Sequence, residues 1–477
     1  MTVTSQSAVE STGTVSKVAK WAPLAVILCG TFVSVLDFFI VNVAIPAIQH
    51  NLRAGPAAVE WVIAGYGLTS ASFLVCGGRL GDHYGRRRLF MIGVAVFTIT
   101  SALCAVAPNP QTLIAARLAQ GIGVAFLAPN VLSILGTTYT GPDRVRAISV
   151  YGMVMGAAAA GGQIIGGLLI SANVLDLGWR AIFWVNVPVG VAAIVAAPRL
   201  VPESRTAGTG RLDVTGAVTL TAGLTAIVLP LLDGRQEGWP AWSWASLAAG
   251  PVLLAAFTVH LYRTTNRGGQ PLLDPAIFAI RAFRSGLTCQ VLFWCQQAAG
   301  YLLLALYLQE GRGLTPIESG GMFSILAAGY LVTSFPAPKL TVRFGRPVVA
   351  IGALLGALGD ILLIAAVWHS GAAGGAGPLV FLAPGLLLLG AGQGLCITPL
   401  TTTVLSHSSQ RTAGSVSGAL ATAQQVGNAI GVAISGVVFY GLLDRGYGIA
   451  YGWSVAEMAA LLLGVAALTF LIPKKAG

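Results

Sequence analysis

The chain consists mostly of apolar segments separated by short polar intervals. A transmembrane helix needs about 20 mostly apolar residues, so each segment is long enough to cross a bilayer. Only 9% of the 477 residues are charged, whereas soluble domains carry about 25%. The sequence therefore predicts an all-α polytopic membrane protein. We count 14 transmembrane helices, at residues 23–46, 59–80, 89–107, 111–135, 146–171, 180–200, 214–232, 243–262, 285–308, 318–338, 346–367, 378–402, 412–440 and 453–472.

The basic residues indicate how these helices are oriented. With the N-terminus inside, 21 of the 27 Lys and Arg residues fall in cytoplasmic segments, five fall in outer loops, and Arg117 lies within a span. Membrane proteins carry such an excess of Lys and Arg on the cytoplasmic side. A miscount by one span would reverse the side of every later loop. The bias therefore supports 14 spans in the plasma membrane, with both termini cytoplasmic.

Composition also argues against several function classes. The net charge of +11 is spread in small groups between apolar runs, which argues against nucleic acid as a partner. The six cysteines lie within apolar segments and show no metal-ligand spacing, so we predict no metal site. The chain has no Walker loop, so ATP hydrolysis is not expected, and we predict that the protein is not an enzyme.

Residues 78–88 read GRLGDHYGRRR and lie between two apolar runs. A segment with so many charges cannot lie in hydrocarbon, so it predicts a tight turn at the cytoplasmic surface. Glycines allow such a short turn.

Two charged residues fall inside predicted spans. Asp37 and Arg117 lie about 13 Å and about 10 Å from the outer ends of the first and fourth spans, at 1.5 Å per residue. Charged residues within a membrane are costly and are functional candidates by default. Because a lone buried guanidinium is costly, we expect the two side chains to pair, directly or through water.

The second half of the sequence repeats motifs of the first in the same order, for example around Gln120-Gly121 and Gln393-Gly394. This repeat predicts two six-helix bundles with two helices inserted between them. The predicted segments are a cytoplasmic tail (1–20), an N-terminal bundle (21–205), the inserted pair (206–268) and a C-terminal bundle (269–477). The inserted pair is the weakest assignment; without it the chain has 12 spans.

Several motifs resemble those of the major facilitator superfamily, in particular its 14-helix drug:proton antiporters. Residues 78–88 resemble the signature G-x-L-x-D-x-x-G-R-R between spans two and three. Residues 36–46, LDFFIVNVAIP, resemble L-D-x-T-I-V-N-V-A-L-P of the first span. Residues 179–190 resemble W-R-x-x-F-x-x-N-x-P-x-G, which opens span six. The resemblance implies the major facilitator fold and a conformational gate at Gly78, Asp82, Gly85, Arg86 and Arg87.

The fifth span resembles the antiporter motif of this group through Gly156, Gly162, Gly166 and Gly167. Its usual ending is G-P-x-x-G-G, but Gln163 replaces the proline. Proline would kink the helix, so this departure weakens the case for export relative to uptake.

By resemblance, the chain is a proton-coupled efflux transporter of hydrophobic, antibiotic-like small molecules, with Asp37 and Arg117 coupling transport to protons. Its expected partners are that substrate, protons and lipid; we expect a monomer without cofactors other than the coupling proton. The alternatives are an importer of a small metabolite, which Gln163 keeps open, and a non-transporting membrane receptor. Polar or aromatic residues that we predict to line a substrate cavity are Asn42, Gln120, Trp294, Gln297, Asp360, Gln393, Gln424 and Asn428.

Overall fold

The computed structural model describes residues 17–205, 213–234, 237–269, 271–369, 379–405 and 413–472. Helices dominate this part of the chain, because backbone polar groups in lipid must bond within their own segment. The α-helices are α1 (Lys17–Leu52), α2 (Pro56–Tyr84), α3 (Arg86–Ala105), α4 (Pro110–Thr138), α5 (Gly141–Ala172), α6 (Ala181–Trp184), α7 (Asn186–Leu200), α8 (Val214–Asp233), α9 (Ala241–Asn266), α10 (Arg281–Leu306), α11 (Pro316–Ser334), α12 (Ala337–Phe344), α13 (Pro347–His369), α14 (Ala383–Leu405), α15 (Ala413–Leu442) and α16 (Tyr447–Thr469).

The number of spans agrees with the sequence prediction. Within the described ranges, 12 helices are long and apolar enough to cross a membrane. Two further spans are bent: Gly141–Ala159 with Gly161–Ala172 meet at 40°, and Pro316–Ser334 with Ala337–Phe344 meet at 46°. With each bent pair counted as one span, the described residues contain up to 14 candidate spans, so the polytopic all-α fold is confirmed.

The first helix begins at Lys17, so it includes the last four residues of the segment predicted as a cytoplasmic tail, residues 1–20. Residues 1–16 of that segment lie outside the described ranges.

The helices pack in two groups that face each other. In the first group α2 and α3 pack against α4, and α1 packs against α5; in the second, α11 and α13 pack against α14, and α10 packs against α15. The groups meet where α2 contacts α15 and where α5 contacts α11. The helices α8 and α9 pack on each other, and α8 also lies against α2 and α15. The exact domain boundaries stay a prediction, since residues 206–212 are not described.

The internal repeat is visible as a repeated close contact. A Cβ atom at Gly121 on α4 would lie 2.4 Å from the backbone oxygen of Tyr66 on α2. A Cβ atom at Gly394 on α14 would lie 2.6 Å from the backbone oxygen of Tyr330 on α11. Small residues let membrane helices approach this closely. The same glycine position therefore sets the same helix contact in each half.

The turn predicted over residues 78–88 is much shorter than expected. The helix α2 continues to Tyr84 and α3 begins at Arg86, so only Gly85 interrupts the helices. Gly85 has φ +115°, a conformation that residues with a side chain rarely adopt. The helices can continue because Arg86 pairs with Asp82 across the break, at 2.7 Å, which neutralises both charges at the helix ends.

Candidate functional site

A buried polar network surrounds Asp37 in the middle of α1. The Asp37 side chain is fully buried. Its Oδ2 accepts a hydrogen bond from Arg117 Nη1 at 2.5 Å, and its Oδ1 accepts from Gln120 Nε2 at 3.1 Å and from Asn186 Nδ2 at 2.9 Å. The carboxylate on α1 thus accepts hydrogen bonds from side chains on α4 and α7.

Arg117 is held equally closely. Its Nε donates to the backbone oxygen of Val62 at 2.9 Å, and its Nη1 also donates to Gln120 Oε1 at 2.7 Å. The guanidinium carbon lies 4.3 Å from the ring centre of Tyr66, a distance at which a cation is attracted to an aromatic face. A buried ion pair of this kind is strongly destabilised when one partner loses its charge.

The expected pairing of Asp37 with Arg117 is therefore a direct contact. Two other hydrogen-bond partners of Asp37, Gln120 and Asn186, were not predicted to contact it. Gln120 was assigned to the substrate cavity, but it bridges Asp37 and Arg117 and does not line the cavity. Asn186 was missed, although it is the asparagine of the sixth-span motif; it also donates to Ser101 Oγ at 3.1 Å. Asn186 could have been recognised as a candidate, because it is a polar residue within the predicted apolar span 180–200.

A cavity of about 830 Å³ lies between the two groups of helices. Ligand pockets for drug-sized molecules span about 300–1,000 Å³. Four of the eight predicted cavity residues line it, namely Trp294, Gln297, Gln424 and Asn428, and so does Gln163 of the fifth-span motif. They come from α5, α10 and α15, so both halves contribute to its wall.

Three other predicted cavity residues do not line it. Asn42 turns back on its own helix and donates to the backbone oxygens of Phe38 and Phe39, each at 3.2 Å. Gln393 lies behind Tyr301 and accepts a hydrogen bond from its hydroxyl at 2.8 Å. Asp360 is 1% exposed on α13, which packs against α14 and α16 rather than facing the first half.

The ion pair does not line the cavity either. Tyr66 lies between them, because it lines the cavity and also covers the guanidinium of Arg117. The hydroxyl of Tyr66 donates to the backbone oxygen of Ser34 at 3.2 Å. Tyr66 is therefore the side chain through which the charged pair and the cavity touch.

The glycines of α5 bring that helix close to both halves. A Cβ atom at Gly162 would lie 2.9 Å from Phe39 Cβ, and one at Gly166 would lie 2.8 Å from Ile40, both on α1. On the other face, a Cβ atom at Gly167 would lie 2.5 Å from the backbone oxygen of Pro316 on α11. The motif thus forms a tight contact between the halves above the cavity. Gly156 lies further down the helix, beside Tyr330, with 3.5 Å from its Cβ position to the ring.

Further contacts close the same end of the molecule. His50 Nε2 on α1 lies 3.0 Å from Glu310 Oε1, and Gln309 Nε2 donates to the backbone oxygen of Val43 at 3.0 Å. The opposite end of the cavity is lined by Arg79, Asp82 and Arg144. In the orientation predicted from the basic residues, this end of the cavity faces the cytoplasm.

The charged motif lies at this cytoplasmic mouth. Gly78 packs against Pro129, with 3.5 Å from its Cβ position. The backbone N–H of Arg87 donates to Glu203 Oε1 at 3.1 Å, and its guanidinium donates to the backbone oxygen of Val201 at 3.1 Å. The carboxylate of Glu203 therefore holds the first turn of α3 to the end of the sixth span. The motifs in the sequence did not indicate a role for Glu203, because it lies outside them, in a polar linker.

Comparison with known proteins agrees with this architecture. A family model described as Major Facilitator Superfamily matches residues 27–432. The chain is 35% identical to a probable actinorhodin transporter of Streptomyces coelicolor, over 89% of this chain and 73% of that protein. It is 34% identical to a cephamycin export protein of Amycolatopsis lactamdurans, over 99% and 96%. It is also 34% identical to a puromycin resistance protein of Streptomyces alboniger, over 95% and 90%.

Solved structures share the fold at low identity. A POT family transporter in complex with 5-aminolevulinic acid has a TM-score of 0.68 and 16% identity, over 94% of this chain and 96% of that one. A bacterial homologue of the human lysosomal transporter Spinster, in an inward-facing conformation, has a TM-score of 0.66 and 17% identity, over 96% and 97%. The apolar helices make this protein a multi-pass protein of the plasma membrane, and the chain belongs to the Major Facilitator Superfamily.

Proposed function

We propose that this protein exports small hydrophobic, antibiotic-like molecules across the plasma membrane in exchange for protons, by alternating access. The observation that carries the proposal is the buried pair of Asp37 and Arg117 beside a cavity shared by both halves. The cephamycin export protein and the puromycin resistance protein support the direction of transport, and these two relatives together with the probable actinorhodin transporter support the class of substrate.

Protonation of Asp37 supplies the coupling step. In the ionised state its carboxylate balances Arg117 at 2.5 Å. A proton on Asp37 removes that charge and leaves the guanidinium buried without compensation, which costs about 3–5 kcal/mol. The pair must then separate or become hydrated, and Tyr66 transmits the change because it touches both the guanidinium and the cavity.

Alternating access requires the outer contacts to open as the cytoplasmic mouth closes. The contacts that must break are those between the halves, notably His50 with Glu310 and Gly167 with α11. The motif around Asp82, Arg86 and Arg87 lies at the mouth that must close. The two halves rock about the central cavity, as in other transporters of this architecture.

The proposal is tested with Asp37→Asn in proteoliposomes that carry a proton gradient. Asparagine keeps the shape of the side chain and removes the titratable charge, so we expect proton-driven efflux to fall to background while the protein still inserts. The matched control is Asp360→Asn, a buried aspartate in the second half that contacts neither the network nor the cavity. Wild-type transport by Asp37→Asn contradicts the proposal.

Import of a small metabolite is the second candidate, and Gln163 in place of the motif proline favours it. The direction of substrate transport distinguishes import from export. In inside-out vesicles, an exporter accumulates its substrate in the lumen when the membrane is energised, whereas a proton-coupled importer releases it.

A further inference from the structure

Gln163 is a buried amide that lines the cavity without a hydrogen-bond partner among the described residues. It is 2% exposed on α5 and lines the central cavity. Neither its Nε2 nor its Oε1 has a hydrogen-bond partner within the described part of the chain. Buried polar groups are nearly always paired, and an exception calls for an explanation. The motif that the fifth span resembles has proline here, and proline offers no side-chain polar atom.

Aromatic side chains form a row next to Gln163. Its neighbour Gly162 packs on Phe39 of α1. The ring of Phe39 lies 5.4 Å from that of Tyr301, which lies 5.7 Å from that of Phe323. All three rings line the cavity. Rings at such distances offer faces and edges for stacking against another flat ring.

A second amide lies beside this row. Gln297 is one helical turn before Tyr301 on α10, so the two side chains share a face. It also lines the cavity, is 2% exposed, and its Oε1 has no partner among the described residues. An amide both donates and accepts hydrogen bonds. The cavity wall near the row therefore carries two neutral groups that can each donate or accept.

Charge is confined to the mouth of the cavity. The charged residues that line it in the described ranges are Arg79, Asp82 and Arg144, all at the cytoplasmic end. Among the described residues, the deep wall offers amides, hydroxyls and rings but no carboxylate. A permanent cation moved next to Gln163 would lose water without meeting a counterion, which is unfavourable.

We propose that Gln163, Gln297 and the row of Phe39, Tyr301 and Phe323 form a subsite for an uncharged, planar aromatic molecule. The flat rings of the ligand stack on the aromatic row. A hydroxyl and a neighbouring carbonyl on its edge pair with the donor and acceptor of the Gln163 amide. This inference rests on the proposed function, because it specifies the substrate class of the same transport cavity.

Equilibrium binding to the purified full chain in lipid nanodiscs, without a proton gradient, tests the subsite. The three probes are hydroxyanthraquinone, anthracene, which has the rings without the polar edge, and tetraphenylphosphonium, a permanent cation. We expect the wild type to bind hydroxyanthraquinone most tightly. Gln163→Leu keeps the volume and removes both hydrogen bonds of the amide, so it should weaken that binding at least fivefold, which is the effect of losing one of the two, while anthracene binding stays unchanged.

Gln296→Leu is the matched control. Gln296 is a fully buried amide on α10 whose side-chain atoms also have no partner in the described ranges, but it does not line the cavity. The same substitution there should leave hydroxyanthraquinone binding at the wild-type value. If Gln163→Leu does not give folded protein, Gln297→Leu tests the second amide of the subsite, again by the loss of hydroxyanthraquinone binding.

The effect of a counterion on cation binding is tested separately with Gln163→Glu. A carboxylate at this position supplies the missing counterion, so we expect binding of tetraphenylphosphonium to rise at least threefold. Unchanged hydroxyanthraquinone binding in Gln163→Leu, or tighter binding of the cation than of hydroxyanthraquinone by the wild type, overturns the subsite. Because no gradient is present, these outcomes are independent of the Asp37→Asn result, which tests proton coupling alone.

Discussion

The guanidinium carbon of Arg117 lies 4.3 Å from the ring centre of Tyr66, and Tyr66 also lines the central cavity. The charged pair and the substrate cavity are thus separate spaces that share one side chain. A molecule in the cavity contacts Tyr66 directly and reaches Arg117 only through it. This arrangement explains how two sites without a common surface can influence each other.

The first prediction concerns this ring. Tyr66→Phe keeps the aromatic face over Arg117 and removes only the hydroxyl, so we expect at least half of the wild-type proton-driven efflux. Tyr66→Leu removes the cation–π contact, which contributes about 0.5–2 kcal/mol, and should reduce efflux at least fivefold. Transport of a fluorescent substrate in energised vesicles measures both. Equal efflux by the two variants would show that the ring does not link the pair to the cavity.

A second prediction concerns the stability of the ion pair. Arg117→Gln leaves Asp37 buried without its cation and should lower the free energy of unfolding by about 3–5 kcal/mol. Adding Asp37→Asn removes the uncompensated charge, so the double variant should recover most of this stability while remaining inactive. Thermal unfolding in detergent and efflux assays separate the two effects. A double variant no more stable than Arg117→Gln would contradict the pairing.

A third prediction concerns Glu203, which accepts hydrogen bonds from the backbone N–H groups of Arg87 and Ser204 at 3.1 Å each. A carboxylate at a helix N-terminus is stabilising through its hydrogen bond and through the helix dipole. Glu203→Gln should therefore lower stability by about 1 kcal/mol, and less at high salt. Glu237→Gln, on an outer turn, is the control. Thermal unfolding at low and high salt checks the expectation; a loss that does not depend on salt would exclude the charge as its cause.

A fourth prediction concerns Asp213, which precedes α8. Partial burial raises the pKa of Asp213, but hydrogen bonds from the Gly216 N–H, His260 and the Leu272 N–H outweigh it, so the pKa lies below its usual range. The carboxylate therefore contributes stability above the ordinary aspartate pKa, and this contribution is lost as the pH falls through the lowered value. Asp213→Asn should be less stable than the wild type at pH 7, with the difference shrinking near pH 3. Thermal unfolding across that range measures it, and a constant difference would refute the expectation.

Several features of the site followed from the sequence because they depend on local chemistry. An aspartate and an arginine within apolar spans must find partners, which predicted the contact between Asp37 and Arg117 before any coordinates. The glycines singled out in the fifth span allow close helix contacts, which Gly162 and Gly167 make on opposite faces of α5. The turn predicted around the gate residues is present but is reduced to Gly85, and the membrane surface on which it lies stays a prediction.

The distribution of the buried amides was not predictable in this way. Gln120 and Gln424 are both glutamines in apolar helices, yet one bonds to Asp37 and the other lines the cavity. Which face of a helix meets the cavity depends on how distant helices pack around it. Asn186 joined the network for the same reason, since its partner Asp37 is 149 residues away in the chain.

The sequence by itself determined that this chain is a helical membrane protein with many spans, because apolar length and backbone hydrogen bonding in lipid admit few other structures. The basic residues predicted its orientation, and its motifs indicated the superfamily. Only the tertiary structure decided that the charged pair and the cavity are distinct and meet at Tyr66, and that Gln163 lines the cavity with its amide unpaired. The physical reason is that helix formation depends on neighbouring residues, whereas the surroundings of a buried polar group depend on side chains from several helices far apart in the chain.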